Sequence, residues 1–488
     1  MNRFTVKEKN YFLLTISLCL LITGIRLAAL FYNNIPLWVD EAQYWAWSKS
    51  LEMGYFSKPP FIAWAIYLTT HMLGNEEFGI RFSAAIFHFF ASIAIYFLGS
   101  DLLGKKAGFY SALIYITLPA VTFSSMFIST DAPLMCFWAI ALFALIRNIK
   151  YPGNRNEIFF WALFAVAVGC GLLSKYTMAA FVLFSFAAIF FTQPGLRKFR
   201  LDFIIANSVA FLIFLPNLVW NYQNHFVSFV HTENNVLTGG MDGSVKFLDT
   251  LGFIGGQILV FGPAIIVFVM AVFLKDSFSS DHKELKRSKN ILMGFSVPLL
   301  IIGIVISLMS GSQAHWAAPA YIAASVMVAG YIVLNGKYSW FKIIIAFNVV
   351  VLILSLDVKG VSSLVFGNKS PLDRVFIWYK AAKPLEEIMK NNPQAVIVSD
   401  ERKIITPLMY SLRDQNGNPE KIYKWNPQHK LLDHYDLTMS FNGTGQDVVF
   451  VTRTNLENEL TKSYAYVGFL KQPTKQDPFY VFLLKGQK

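Results

Sequence analysis

Long apolar runs separated by short polar breaks make up the first three quarters of the chain. Several runs carry no charged residue over about 18 positions or more, which is the length of helix that crosses a bilayer. The chain is therefore predicted to be a polytopic α-helical membrane protein over residues 1–357. We predict about eleven transmembrane helices, at residues 11–31, 78–98, 107–127, 132–148, 157–173, 177–192, 203–219, 250–274, 291–309, 317–334 and 342–357.

The pattern changes after the last predicted helix. Charged residues recur every few positions, and short alternating runs of the kind that form strands occur at 395–400, 447–453 and 479–484. A helical pattern lies near residues 380–391. We therefore predict a soluble α/β domain over residues 358–488.

Composition and charge support this division. Hydrophobic residues make up 55% of the 488 residues and charged residues 15%, which is too apolar for a soluble chain of this length. The net charge of +12 comes mostly from lysines and arginines in every second polar break. The positive-inside rule places those breaks and the N-terminus in the cytoplasm, and the loop 32–77 and the domain 358–488 on the outer side. The charge therefore indicates topology and not a nucleic-acid surface.

Acidic residues on the predicted outer side are candidates for chemistry. Asp40 and Glu41 lie in the aromatic-rich stretch 36–60 of the first loop. Asp131 lies at the outer mouth of the fourth predicted helix. Each has a structural alternative: Asp40 with Gln43 forms a capping box of an interfacial helix, and Asp131 caps its own helix. The functional alternative is a carboxylate that takes a proton from an attacking hydroxyl or amine.

Basic residues on the same side break the positive-inside pattern. One structural explanation is that their side chains extend to the lipid headgroups. Clustered together, they would instead form an electropositive pocket for a phosphate. The four residues are Arg26, Lys58, Arg81 and Lys175.

Histidines and aromatic residues complete the outer-side inventory. His225, His231 and His315 do not have the spacing of a structural zinc site, and a divalent metal is left as an open alternative. Interfacial aromatic belts explain many outer aromatic residues, whereas contacts to a sugar or an acceptor explain them functionally. The candidates for such contacts are Tyr44, Tyr176, Asn221, His315 and Trp316.

Seven short motifs occur in an order that resembles a known family. They are DEAQYW, YFSKPP, EFGIRFSAAIFH, STDAPL, GLLSKYT, LPNLVWNYQNHF and HWAAPAY. The chain resembles bacterial membrane glycosyltransferases of the C type (GT-C). Within that type it is similar to the branch of dolichyl-phosphate-mannose protein mannosyltransferase-like proteins and lipid A aminoarabinose transferases. The resemblance covers nearly the whole chain and implies a GT-C fold with an outer α/β domain.

The resemblance also implies roles for particular residues. The acidic first-loop motif of the family falls on Asp40 and Glu41, its second acid on Asp131, and its phosphate-contacting lysine before proline on Lys58. The aminoarabinose transferase has a glutamate implicated in metal binding immediately before that lysine, where this chain has Ser57. This difference weakens the case for a metal at His231.

Together these features predict an inverting glycosyltransferase of the bacterial inner membrane with a periplasmic active site. The donor would be a sugar on undecaprenyl phosphate, and the acceptor lipid A or another envelope glycolipid. Because the donor already carries an activated phosphate, no nucleotide is required, and the chain has no P-loop or dinucleotide fingerprint. The alternatives are a protein O-glycosyltransferase, a flippase or transporter of polyprenyl-linked sugars, and a noncatalytic scaffold.

Overall fold

The computed structural model shows two compact units. The described residues are 4–33, 35–192, 200–237, 246–274, 283–311, 313–367, 372–380, 382–443, 445–473 and 478–487. The helical unit comprises Met1–Asn33, Lys58–Ile62 and Arg81–Asp357. The sheet unit comprises Asn34–Ser57, Ala63–Ile80 and Val358–Lys488.

Seven helices among the described residues are long and apolar enough to cross a membrane. They are Asn10–Tyr32, Glu77–Leu103, Asp131–Lys150, Glu157–Ser174, Arg200–Gln223, Glu284–Ser310 and Tyr338–Ser355. The pair Phe247–Phe261 and Ala264–Phe273 is bent by 107° and counts as an eighth span if taken as one. Shorter apolar helices are Phe61–Leu73, Met178–Phe190 and Ala320–Leu334. The prediction of a multi-pass helical protein is confirmed, and the count of eleven spans stays a prediction.

The predicted helix at 107–127 is broken in two. Its parts are Lys105–Thr117 and Pro119–Ser124. Leu118 has an extended backbone with φ −49° and ψ 142°, because the following proline restricts it and itself offers no N–H. An average of hydropathy over the run does not register such a break.

The core of the helical unit is built on a short helix that is apolar on every side. Every residue from Ala320 to Ile332 is buried, and small alanines alternate there with larger side chains. A helix buried around its whole circumference has no polar face to present to solvent. It packs against the helix Lys105–Thr117, whose residues after Lys106 are also largely buried.

A five-stranded mixed sheet forms the centre of the sheet unit. Its strands are β1 Val396–Ser399, β2 Ile422–Lys424, β3 Val448–Thr452, β4 Tyr464–Lys471 and β5 Tyr480–Gln487. The strand order is β2-β1-β3-β5-β4, with β1, β2 and β3 parallel and the remaining pairs antiparallel. Its helices are Val39–Ser48, Val358–Phe366, Asp373–Tyr379, Ala382–Asn391, Arg402–Ser411, His434–Thr438 and Glu457–Ser463. The prediction of an α/β fold in the tail is confirmed.

Part of the first loop belongs to this sheet unit. The Tyr379 hydroxyl donates to the Leu37 carbonyl at 2.7 Å, and the Tyr410 hydroxyl donates to the Asn75 carbonyl at 3.3 Å. The helix Val39–Ser48 packs against Arg402–Ser411. First-loop residues and residues of the tail are thereby joined within one unit, and the predicted domain boundary at 357/358 stays a prediction.

Candidate active site

Asp131 begins the helix Asp131–Lys150 at a position that suits a carboxylate. Negative charge is stabilised in the first turn, where unpaired N–H groups carry the positive end of the helix dipole. Pro133 is compatible with that turn because its missing N–H would have no partner there. The Asp131 side chain is only 15% exposed, so the carboxylate requires a charged or hydrogen-bonding partner.

Lys175 supplies that partner. Its Nζ donates to Asp131 Oδ1 at 2.7 Å. Lys175 has an extended backbone, with φ −159° and ψ 134°, and ends the helix Glu157–Ser174 while its N–H still bonds the Gly171 carbonyl. The end of one spanning helix is thus joined to the beginning of another by a charge-assisted hydrogen bond.

His315 lies on the opposite oxygen of the same carboxylate. Its Nε2 is 3.9 Å from Asp131 Oδ2, on the short 3₁₀ helix Ala314–Ala317, and about half of its side chain is exposed. Burial lowers the pKa of His315, Asp131 raises it, and Lys175 and Lys58 lower it, with a net shift downward from 6.5. The imidazole is therefore neutral at pH 7.

Lys58 adds a second positive charge to this cluster. It directly precedes Pro59, and its charge acts on both His315 and Asp131. Two lysines whose charges act on one carboxylate leave a net positive site, and such sites attract phosphate oxygens. Four separate segments of the helical unit therefore converge on one charge cluster, which we define as Lys58, Asp131, Lys175 and His315. All four are predicted site residues.

A buried amide network lies next to Lys175. The Tyr176 hydroxyl donates to Asn217 Oδ1 at 3.2 Å and accepts from Asn221 Nδ2 at 3.3 Å. Asn221 is fully buried, and its Nδ2 also donates to the Asn217 carbonyl at 3.0 Å. The network fixes the loop after Lys175 against the helix Arg200–Gln223. Asn217 was missed by the sequence reasoning, although its spacing of four from Asn221 places both on one helix face.

Arg26 is bonded inside the helical unit. It is 1% exposed. Its Nη2 donates to the Ile116 carbonyl and, at 2.9 Å, to Thr122 Oγ1, and its Nη1 donates to Ser125 Oγ at 3.2 Å. These acceptors lie on either side of the helix break at Leu118. Arg26 therefore joins the two parts of the broken helix.

Arg26→Ala is expected to lower the free energy of unfolding by about 3 kcal/mol, because three hydrogen bonds to a charged group are lost in a buried setting. Thermal unfolding of the detergent-solubilised protein measures this. The exposed Arg155 provides the control, and Arg155→Ala is expected to unfold at the wild-type temperature. Equal unfolding temperatures for the two variants would contradict the role of Arg26 at the break.

Arg81 and Trp316 were also predicted as site residues. Arg81 is 1% exposed, and its guanidinium lies 5.3 Å from the centre of the Phe127 ring, within the range of a cation–π contact. Trp316 follows His315 on the 3₁₀ helix and is partly buried, and its backbone N–H donates to the Gln313 carbonyl at 3.0 Å. Arg81 therefore packs on an aromatic ring, and the backbone of Trp316 closes the turn that carries His315.

The two first-loop acids differ in their surroundings within the sheet unit. Glu41 is 2% exposed, and its Oε2 accepts from the Trp38 N–H at 3.0 Å at the start of the helix Val39–Ser48. The capping role that the sequence analysis assigned to Asp40 with Gln43 therefore falls to Glu41. The helix begins at Val39, so Trp38 is the N-cap residue and Glu41 is the third helical residue, whose side chain reaches back to the N-cap N–H. Tyr44 is buried on this helix, with its ring centre 5.3 Å from that of Trp47.

Asp40 is exposed and paired with an arginine that the sequence reasoning missed. Arg402 Nη1 and Nη2 both lie 3.0 Å from Asp40 Oδ1, and the Asp40 side chain is 64% exposed. Arg402 also donates to Gln43 Oε1. Arg402 begins the helix that follows strand β1. Side chains at such positions gather at the carboxyl edge of a parallel sheet. Because the strand at 395–400 was predicted, Arg402 could have been found as a residue that directly follows it.

The ligands for a metal do not come together in the part of the chain that the structure describes. No group of three histidine, cysteine, aspartate or glutamate side chains there has the arrangement of a ligand set. The charge cluster itself offers one carboxylate and one imidazole beside two lysines, a donor set that repels a divalent cation.

The fold and the charge cluster define a multi-pass membrane protein with a net positive polar site in its helical unit. Residues 57–220 match the family described as dolichyl-phosphate-mannose-protein mannosyltransferase. Lipid A galacturonosyltransferase RgtD of Rhizobium johnstonii is 30% identical over 428 residues, which cover 82% of this chain and 84% of that protein. Undecaprenyl phosphate-alpha-4-amino-4-deoxy-L-arabinose arabinosyl transferase 1 of Pseudomonas fluorescens is 26% identical over 197 residues, 37% of this chain and 36% of that one.

A solved structure shares the fold over almost the full length. ArnT from Cupriavidus metallidurans, in the structure bound to undecaprenyl phosphate, superposes with a TM-score of 0.66 at 13% identity, covering 97% of this chain and 98% of that one. The chain belongs to the GT-C membrane glycosyltransferases of the lipid A aminoarabinose transferase type. It is therefore a glycosyltransferase, and the fold and family predicted from the motifs are confirmed.

Proposed function

We propose that this enzyme transfers a sugar from undecaprenyl phosphate to lipid A at the periplasmic face of the bacterial inner membrane. The observation that carries the proposal is the charge cluster, in which the Asp131 carboxylate accepts from Lys175, lies 3.9 Å from His315 and is acted on by the charge of Lys58. Support for lipid A comes from the name of the galacturonosyltransferase relative, and support for the donor from the aminoarabinose transferases and from ArnT bound to undecaprenyl phosphate.

The charge cluster suits a phosphate leaving group. When the bond between the anomeric carbon and the phosphate oxygen breaks, its electron pair goes to the phosphate, whose negative charge grows. Lys58 and Lys175 would stabilise that charge, and electrostatic stabilisation of this kind is usually the largest contribution to catalysis. Asp131 is the positioning residue in this scheme, because its carboxylate accepts from Lys175 and fixes the direction of the ammonium group.

A base is needed if the acceptor attacks through a hydroxyl. Asp40 is our candidate, since its carboxylate is exposed and one oxygen accepts from both Nη atoms of Arg402, which leaves the other free of that pairing. A hydroxyl oxygen would form the new bond to the anomeric carbon as Asp40 takes the proton. A single displacement of this kind inverts the anomeric configuration.

The orientation in the membrane follows from charge. Lysines and arginines concentrate in every second connection, and the first loop and the tail belong to the other set. We assign the N-terminus to the cytoplasm and the residues after 358 to the periplasm. A cysteine introduced at the exposed Asn416 should then react with a membrane-impermeant maleimide in intact spheroplasts, whereas one at the exposed Lys105 should react only after lysis. The reverse labelling would overturn the assignment.

The proposed function is tested first in cells. Mass spectrometry of lipid A from a strain that lacks this gene should show the loss of a species heavier by one sugar, and the wild-type gene should restore it. The mass difference would distinguish a uronic acid from an aminopentose or a hexose. Unchanged lipid A, together with a lost sugar on a protein or on another glycolipid, would contradict lipid A as the acceptor.

The pH dependence of donor binding tests the place of His315. The pKa of His315 is lowered in the free enzyme, and a bound phosphodiester anion would favour the protonated ring. Binding of the donor, which does not itself titrate near neutrality, should therefore strengthen as the pH falls from about 7 to about 5.5, by up to about tenfold for each unit by which the pKa rises. Fluorescence titration measures this. His315→Gln should flatten the dependence, and an unchanged slope would contradict the assignment.

A further inference from the structure

An open cavity of about 390 Å³ lies beside the charge cluster in the helical unit. Its size falls within the range of roughly 300–1,000 Å³ that is usual for small-molecule sites. One wall is the start of the helix Phe247–Phe261, with Leu248, Asp249, Gly252 and Phe253, and the other is the segment with Gly311, Gln313 and Ala314.

The cavity and the charge cluster share a structural element. Ala314 lines the cavity, and the next residue, His315, faces Asp131. Gln257 Nε2 donates to the Ala314 carbonyl at 3.2 Å and so ties this turn to the helix Phe247–Phe261. If Gly256 were replaced by alanine, its Cβ would lie only 2.6 Å from the Cβ of Ala314. The helix and the turn therefore approach each other closely at this point. A group bound in the cavity would therefore lie next to the turn that carries His315.

Two polar side chains in the lining have no partner among the described residues. The Asp249 carboxylate and the Gln313 amide take part in none of the side-chain hydrogen bonds or ion pairs found in that part of the structure. If Gly311 carried a side chain, its Cβ would lie 3.3 Å from Asp249 Oδ2, and the φ of 76° at Gly311 suits glycine. The Asp249 carboxylate therefore lies next to a backbone segment without a side chain, at the edge of the cavity.

The chemistry of the lining selects among ligands. A carboxylate and an amide accept and donate hydrogen bonds to hydroxyl groups, and Phe253 offers an aromatic ring. None of the described residues that line the cavity is a lysine or an arginine, so the Asp249 charge would repel a phosphate. The donor phosphate suits the lysines of the charge cluster, whereas the cavity suits an uncharged or amino sugar.

We propose that this cavity is the acceptor subsite, in which Asp249 and Gln313 hydrogen-bond the hydroxyls of a sugar ring of the glycolipid acceptor. The proposal rests on the proposed function and adds the position of the acceptor to it. Asp249 would carry most of the binding, because hydrogen bonds to a charged group are stronger than those between neutral groups.

Steady-state kinetics of the purified full-length enzyme, with lipid A as the acceptor probe, test the subsite. Asp249→Asn should raise KM for lipid A about tenfold and leave kcat and the donor KM within about twofold, since only ground-state acceptor binding is weakened. Gln313→Ala should raise KM for lipid A about threefold. Asp202 is the matched control, because it occupies the same third position of its helix, and Asp202→Asn should change neither KM.

A direct measurement of lipid A binding tests the acceptor subsite separately from the proposed sugar transfer. Lipid A binding to each variant, measured by thermophoresis, should weaken about tenfold in Asp249→Asn and not in Asp202→Asn, whether or not sugar is transferred. If the wild type binds lipid A with this pattern but transfers nothing to it, the proposed reaction is wrong and the subsite stands. If Asp249→Asn binds lipid A as the wild type does, or raises only the donor KM, the subsite is wrong. A wild type that does not bind lipid A would overturn both.

Discussion

Asp131→Asn is expected to reduce sugar transfer by about a thousandfold. The asparagine fits the same space but carries no charge, so Lys175 loses the carboxylate that fixes its ammonium group at 2.7 Å. Removing one preorganised donor from a site of developing negative charge typically costs two to three orders of magnitude in kcat, about 2.7–4 kcal/mol, and an ammonium group that is no longer held in place is expected to cost as much. The measurement is initial rate with a radiolabelled lipid-phosphate donor, and kcat should fall more than donor affinity.

The matched control for this variant is a second buried ion pair of the helical unit. Asp101 is 9% exposed and pairs with Arg147 at 2.5 Å, as Asp131 pairs with Lys175. Asp101→Asn removes an equivalent carboxylate, so it reports the general cost of breaking such a pair. It should retain transfer within about threefold once the amount of folded protein is matched. Equal losses in the two variants would mean that Asp131 acts only on stability.

Asp40→Asn should also abolish most of the transfer to a hydroxyl acceptor, by about a thousandfold, since an amide cannot take a proton. Arg402→Gln should have a smaller effect, about tenfold, because the carboxylate remains but is no longer oriented by two Nη contacts. Donor binding should be unchanged in both variants. Initial rates with a hydroxyl acceptor, compared with donor binding to the same protein, measure both effects.

The sheet unit contains its own control for Asp40. Glu76 is 73% exposed and pairs with Arg413 at 2.9 Å, so it is a second exposed carboxylate of this unit that is held by an arginine. Glu76→Gln should transfer sugar at the wild-type rate, because an exposed ion pair contributes at most about 1 kcal/mol to stability. An active Asp40→Asn enzyme, or an equally inactive Glu76→Gln enzyme, would remove Asp40 from the role of base.

Hydropathy was enough to locate the seven long apolar helices found among the described residues, because a helix in lipid must hydrogen-bond all of its own backbone and is therefore continuous and apolar. It did not locate the break at Leu118, since the residues on both sides of Pro119 are equally apolar. In the sheet unit, strands β1, β3 and β5 were predicted from their alternating runs. Strand β2 has only three residues, and β4 shows no regular alternation of buried positions, so neither leaves a strong pattern.

The candidate site was only partly predictable, because local sequence patterns do not indicate which distant segments come into contact. An outer position was predicted for Asp131 and Lys175 from the charge pattern, but their hydrogen bond joins residues 44 positions apart. The pair of Asp40 and Arg402 spans 362 positions. A buried arginine such as Arg26 has the same sequence signature whether it binds a phosphate or a carbonyl, and only its surroundings separate the two.

Reconstitution tests the central claim most directly. Purified enzyme in liposomes would receive lipid A and undecaprenyl phosphate that carries a labelled sugar, in parallel for the wild type, Asp131→Asn and Asp101→Asn. The account predicts labelled lipid A with the wild type and with Asp101→Asn, and almost none with Asp131→Asn. Wild-type protein that leaves lipid A unlabelled, or Asp131→Asn protein that labels it at the wild-type rate, would contradict it.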